Sequence, residues 1–348
     1  MKVLIYGAGP LGSLYAAKLH QAGVDVALLA RGQRLADLCE YGVVLEDAFS
    51  SRRETYHVPV VETLGEDDPY DLVLVVMRKD RCLEILPALA KNRHAHTVLF
   101  LQNNPAGFDE YIAALGAGRV MLGFPSSGGV RHDPVMRVMP LDLAPMPIGE
   151  VDGRITDRTR AVAELLKRTG KRVEIRRDMD AWLVSHIPGL LTYFGAYAAG
   201  LDPARYARTR DAILLGVRAR AEALRAQQAA GVPIRPAWFR ALSWVPEPLT
   251  VAMLRAMAGT AVFEFMVAEL GETGRRDDLA DLLEEYCQRV GLDGTAAPSL
   301  KRIAAYVKGT TPPLPDGSSE MPMNWRGLWI GGLAVLSLVV LLVGRRSR

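Results

Sequence analysis

"KVLIYGAGPLGSLYAAKL", residues 2–19, decides the fold. An aliphatic run leads straight into Gly7, Gly9 and Gly12, and a helical pattern follows. G-x-G-x-x-G marks a dinucleotide site when a strand precedes it and a helix follows, as here. Gly7 permits the tight turn, Gly9 lets the backbone approach a pyrophosphate, and Gly12 lets the helix pack close to the strand. With Pro10 and Leu11 between them, these residues open a helix whose N–H groups and positive dipole end suit phosphate.

The next strand selects the nucleotide. NAD-type sites usually place a carboxylate at its end to hold the ribose 2′-OH. This chain has "LLARGQR", residues 28–34, which puts Arg31 and Arg34 there instead. Guanidinium binds phosphate through paired hydrogen bonds, so the reading is NADP(H) over NAD(H). Either arginine can meet that phosphate, and if one of the two faces solvent instead it is expected to be Arg34.

Further out, apolar runs at 71–77, 97–103 and 119–129 read as buried parallel strands alternating with helices. "TDRTRAVAELLKRTG", residues 156–170, is a helix capped by Thr156 and stopped by Gly170, and a last strand follows at 171–178. From residue 179 strand signals fade. Segments 208–231 and 261–291 carry apolar residues at helical spacing. The expected domains are 1–178, α/β and nucleotide-binding, and 179–307, all-helical, for substrate and dimerisation.

"GLWIGGLAVLSLVVLLVG", residues 327–344, holds no charge and is followed by "RRSR". About 18 to 20 apolar residues cross a bilayer's hydrocarbon core. Trp325 and Trp329 suit the membrane interface. A single transmembrane helix is expected there, after a Pro/Gly/Ser-rich linker at 308–326. The terminal arginines favour a cytoplasmic tail. No export signal precedes the body, however, so the body is placed in the cytoplasm.

The net charge of +3 is too small to argue for a nucleic-acid partner. Cys39, Cys82 and Cys287 are far apart and read as buried thiols of a reducing compartment. His94, His96 and His132 form no metal constellation, and no metal is expected.

Taken together, "GAGPLGSLYAAKL", "ARGQRLADLCEYGVVLED", "LQNNPAG" and "IGEVDG…AVAELLKRTGKRVEIRRDMDAW" resemble the ketopantoate reductase family over residues 1–182. The resemblance implies a Rossmann domain followed by a helical domain, with the active site in the cleft between them. It implies NADPH-dependent reduction of a 2-oxo acid to the 2-hydroxy acid. It places Gly7 to Gly12 on the pyrophosphate, Arg31 on the 2′-phosphate, Asn103 beside the nicotinamide, and Gly128 at backbone contacts to the cofactor. Arg78, with Lys79 next to it, stands where the family has a lysine facing the cofactor.

The chain also departs from the family. Asn104 and Pro105 replace the glycine that usually follows the asparagine. The family's proton-donating lysine lies two residues after a tryptophan, and counting from Trp182 that position is Val184. Two substrate-holding asparagines fall on Pro188 and Thr192, and the late acidic residue on Glu264. His186 is the titratable group nearest the missing lysine, with an ordinary pKa near 6.5. Two helical residues rotate it about 200° away from position 184. The catalytic candidates are therefore His186, Arg78 and Lys79, with Tyr193 and Tyr197 as other donors. The expected activity is reduction of a carbonyl that need not be ketopantoate. The alternative is a membrane-tethered NADP(H)-binding protein without turnover.

Overall fold

The computed structural model describes residues 1–272, 274–292 and 296–325. The apolar segment 327–344 lies outside the described residues. Two compact units divide the chain after Leu183, inside a helix.

The first unit holds twelve strands in chain order. They are β1 (Val3–Tyr6), β2 (Val26–Leu29), β3 (Val43–Asp47), β4 (Arg53–Tyr56), β5 (Val60–Val61), β6 (Leu72–Val75), β7 (Thr97–Leu101), β8 (Val120–Gly123), β9 (Gly129–His132), β10 (Val135–Val138), β11 (Met146–Glu150) and β12 (Val173–Ile175). Its helices are α1 (Pro10–Gln21), α2 (Gly32–Tyr41), α3 (Lys79–Lys91), α4 (Asp109–Leu115) and α5 (Asp157–Lys167). The main sheet has the order β12-β11-β8-β7-β6-β1-β2-β5. Strands β5, β2, β1, β6, β7 and β8 are parallel neighbours. The unbroken apolar runs follow from coverage on both faces. Val3 and Ile5 enter the core beneath α1 and α5, while Leu4 and Tyr6 enter the opposite core beneath α3 and α4.

The sheet is not wholly parallel, as the run of apolar segments suggested. β11 pairs antiparallel with β8, and β12 pairs parallel with β11, so the last two strands run backwards. A second sheet, β4-β3-β10-β9, flanks α1. The stretch 119–129, read as a strand with a glycine-rich exit, forms β8 as far as Gly123 and then leaves the sheet as a loop. Thr156 does cap α5, accepting from the Thr159 backbone N–H at 3.1 Å. Cys39 is exposed, contrary to expectation, because it lies on the outer face of α2.

Helix α6 (Met179–Ala198) leaves the first unit and enters the second. There α7 (Pro203–Arg208), α8 (Arg210–Ala229), α9 (Phe239–Leu242), α10 (Glu247–Met257), α11 (Ala261–Leu270), α12 (Arg275–Arg289) and α13 (Pro298–Lys308) surround one apolar core. α6 and α8 touch through glycines. A Cβ on Gly195 would stand 2.6 Å from the Ala212 carbonyl oxygen, and one on Gly216 2.8 Å from that of Leu191.

The segment read as a flexible linker is a strap laid on the helical unit. Leu314 N–H donates to the Ala198 carbonyl at 2.8 Å. Arg208 pairs with Asp316 at 2.6 and 2.8 Å. Buried Asp211 accepts from Ser318 Oγ at 2.6 Å, Glu320 N at 2.8 Å and Met321 N at 3.1 Å. Asn324 N donates to Glu247 Oε2 at 2.8 Å, and Arg218 forks onto the same carboxylate. Arginines and acids on α7, α8 and α10 supply what a Pro/Gly/Ser composition hides: partners for the backbone of an extended chain.

Candidate functional site

The parallel strands of the first unit end on one edge of the sheet, and the turns after β1, β2, β6, β7 and β8 collect there. The glycine turn joins β1 to α1. Gly7 lies at φ +120°, and a Cβ there would meet the Val76 carbonyl oxygen at 2.5 Å. A Cβ on Gly12 would stand 1.8 Å from the Gly7 oxygen, so strand and helix are packed to backbone contact. Gly9 differs from both. Among the described residues, none beyond its two chain neighbours comes within 4 Å of its Cβ position, so the chain leaves open space beside it. Pro10 occupies the first helical position, where its missing N–H costs nothing. Leu11 and Gly12 then hold N–H groups that have no partner inside the helix.

Arg31 follows β2 and is exposed. Its guanidinium donates to the Tyr6 hydroxyl at 2.8 Å and lies 5.9 Å from that ring's centroid. Tyr6 ends β1, so Arg31 is steered to the same edge as the glycine turn. Arg34 does not face solvent. It is only 6% exposed, and its Nε donates to the Ala8 carbonyl at 3.1 Å and its Nη2 to Ser13 Oγ at 3.1 Å. Ala8 belongs to the glycine turn, so Arg34 braces the loop from behind. The sequence hid this because both partners lie more than 20 residues away.

β6 runs through Val76 and Met77, which touch Gly7, into Arg78 and Lys79 at the start of α3. The Arg78 guanidinium stands 3.5 Å from Asp80. Past β7, Asn103 and Asn104 each hold a buried side-chain carbonyl oxygen with no hydrogen-bond partner among the described residues. The Asn104 amide nitrogen is fixed, donating to the Gly107 carbonyl at 2.7 Å. A buried acceptor left bare costs about 1–3 kcal/mol. These two follow one another in the chain after β7.

The loop between β8 and β9 is clamped from three sides. Tyr15 donates its hydroxyl to the Pro125 carbonyl at 2.5 Å, Lys171 its ammonium to the Ser126 carbonyl at 2.7 Å, and Met139 its N–H to the Gly128 carbonyl at 3.0 Å. Ser126 is held at φ +47°. A Cβ on Gly129 would meet Cβ of Pro10 at 2.5 Å, so this loop abuts the first turn of α1. Lys171 is 2% exposed, and burial, with Arg172 nearby, pushes its ammonium down to about 8. Sequence reasoning missed both clamps. Lys171 read only as the start of the last strand, and nothing in the sequence singled out Tyr15.

Gly7, Gly9, Arg31, Arg78, Asn103 and Gly128 thus belong to turns of the first unit, and Pro10, Leu11, Gly12 and Lys79 to the first turns of the helices that follow them. His186 belongs to the second. Burial, with Arg275 adding to it, pushes its imidazole down to about 4, so it is neutral at neutral pH. Val184 is fully buried in the helical core. Thr192 is buried, and its hydroxyl faces the Gly189 carbonyl at 3.4 Å. Tyr197 spends its hydroxyl on the Leu270 carbonyl at 2.6 Å, and burial pushes its pKa up to about 12. Burial also raises Tyr193. Glu264 is exposed.

Residues 3–153 match the family model described as ketopantoate reductase PanE/ApbA. The N-terminal unit carries a ketopantoate reductase family domain. An uncharacterised oxidoreductase of Bacillus subtilis, YkpB, is 24% identical over 326 residues, 88% of this chain and 98% of that protein. The 2-dehydropantoate 2-reductase of Archaeoglobus fulgidus is 28% identical over 179 residues, but the match spans only 51% of this chain and 57% of that enzyme. Among solved structures, 2-dehydropantoate 2-reductase from Geobacter metallireducens superposes with a TM-score of 0.70 at 20% identity, covering 89% of this chain and all of that one. D-mandelate dehydrogenase, solved with NADH and anilino(oxo)acetate, gives 0.66 at 16%, covering 89% and 99%. At such identities the likeness establishes the fold: a Rossmann-like α/β unit followed by a helical region. The sequence matches to enzymes named 2-dehydropantoate 2-reductase span 38% to 52% of this chain.

Proposed function

We propose that this protein is an NADP(H)-dependent oxidoreductase that reduces a 2-oxo acid or related carbonyl. The observation that carries the reading is the open space at Gly9, taken with Arg31 after β2 and the unpartnered carbonyl oxygens of Asn103 and Asn104 after β7. Those features fit a nicotinamide dinucleotide. Gly9, Leu11 and Gly12 would hold the pyrophosphate, Arg31 the 2′-phosphate, and Gly128 would offer backbone contacts. Asn103 would accept from the carboxamide. Bound there, the nicotinamide would supply a hydride to the substrate carbon. Arg78 or Lys79 would anchor or polarise a carboxylate or carbonyl.

The proton must come from elsewhere. Val184 has none to give, and a neutral His186 is a weak acid. Tyr193 or water remains as the source. The buried valine, where the family resemblance implies a lysine, supports a second reading: a protein that binds NADP(H) without turning over.

We also place the apolar segment 327–344 in a membrane, with the body on the cytoplasmic side. Among the described residues no single helix is long and apolar enough to cross one. Absorbance at the reduced-nicotinamide band, followed with NADPH or NADH against a panel of 2-oxo acids and hydrophobic ketones, tests the reductase reading. NADPH consumption with at least one carbonyl is expected. Tight NADPH binding with no turnover across the panel favours the second reading.

A further inference from the structure

The helical unit keeps its apolar side chains inside except along one stretch. Trp238 is 58% exposed, Trp244 77%, Met253 48% and Val262 41%. All four fall between residues 238 and 262, on α9, α10, the start of α11 and the turns that join them. The strap adds a fifth. Asn324 is bonded to Glu247, at the first turn of α10 and three residues past Trp244, and Trp325, next in the chain, is 62% exposed. Two indoles more than half exposed therefore flank one carboxylate, held there by the strap.

Charge on this stretch is one-sided. Glu247 is the only acidic residue between 238 and 262, and Arg218 neutralises it with bonds of 2.8 and 2.9 Å. Arg240 and Arg255 are exposed. Indoles with arginines around them are the composition of a surface that rests at the headgroup level of a bilayer. α10 and α11 are jointly apolar but bend by 89° between them, a shape suited to lying on a surface rather than spanning it. The apolar sequence 327–344 begins two residues after Trp325. The last described residue, Trp325, thus follows directly on the bond that ties the strap to Glu247, three residues past Trp244.

We infer that the face carrying Trp238, Trp244, Met253, Val262 and Trp325 docks on the anionic surface of a lipid bilayer. It rests on the membrane tether proposed above. The strap then acts as a fixed spacer: the body sits on the bilayer in one orientation instead of swinging from a loose linker.

The test uses the full chain, with Trp329→Phe in every sample, reconstituted in vesicles of phosphatidylcholine and phosphatidylglycerol with brominated acyl chains. Flotation of the vesicles reports the tether, and quenching of tryptophan emission reports contact. The expected result is flotation together with strong quenching. Roughly a twofold loss of quenching should follow Trp244→Phe or Trp325→Phe, and none should follow Trp182→Phe. Flotation with quenching unchanged by Trp244→Phe overturns the docking and leaves the tether standing. No flotation removes the tether and the docking with it. Shielding of Trp244 from iodide that depends on protein concentration, without bromine quenching, would put a second copy on this face and overturn the inference.

Discussion

The proposed choice of NADP(H) over NAD(H) can be tested at a single side chain. In the proposed site Arg31 is the charge that would separate a 2′-phosphate from a 2′-hydroxyl, and among the described residues its guanidinium donates to the Tyr6 hydroxyl. Hydrogen bonds to a charged partner are worth about 1.5–3 kcal/mol. Arg31→Ser should therefore raise KM for NADPH about 10- to 100-fold and leave KM for NADH within about twofold. Steady-state kinetics with both nucleotides reads this directly. Equal losses with both would mean that Arg31 acts through Tyr6 on the glycine turn.

His186 calls for a pH experiment. Its folded-state pKa of about 4 lies below the unfolded value near 6.5, so the unfolded chain binds the proton first. The stability it contributes is present above pH 6.5 and is lost as pH falls from there through 4. The full loss is on the order of 3 kcal/mol. Glu269, raised by burial, works in the opposite sense, so only the difference from a His186→Gln variant isolates the effect. Urea midpoints for the two proteins should converge between pH 6.5 and 4. Parallel midpoints would show an imidazole with an ordinary pKa, restored as a general acid.

Among elements, what could be read from the chain was what depends on local pattern. The β1 turn was legible because its chemistry is written in three glycines at fixed spacing. The central strands were legible because burial on both faces leaves unbroken apolar runs. The reversal of β11 was not, since strand direction is set by pairing with β8 and leaves no mark on "MPIGE". Arg34 and Lys171 were misjudged or missed for a related reason: each satisfies a backbone carbonyl far away in sequence. The strap is the clearest case. A Pro/Gly/Ser-rich stretch lacks periodicity, yet buried Asp211 orders it by accepting three hydrogen bonds. Asp211→Asn keeps the shape but turns one oxygen into a donor facing donors. A loss of about 2–3 kcal/mol is expected, concentrated in the strap. Limited proteolysis should then cut between 309 and 325 at least several-fold faster than in the parent, while NADPH binding to the other unit is unchanged. An unaltered cleavage rate would mean that the arginine contacts hold the strap without Asp211.

For the whole molecule, the division after Leu183 separates two kinds of evidence. The first unit carries the family match, the glycine turn, Arg31 and the asparagines. The second carries a buried valine at the position of the family's lysine, a neutral histidine and the exposed indoles. A ligand that binds only the first unit stabilises only what unfolds with it. NADPH at about a hundred times its Kd should add about 2.7 kcal/mol to the transition that exposes the glycine turn. If each unit unfolds on its own core, calorimetry will show two heat-absorption peaks, and NADPH will move one of them. If one peak moves as a whole, the second unit is thermodynamically bound to the cofactor site, and changes such as Val184→Lys then deserve testing for their effect on NADPH affinity as well as on turnover. An unmoved trace at saturating NADPH would remove the cofactor reading from which both functional proposals start.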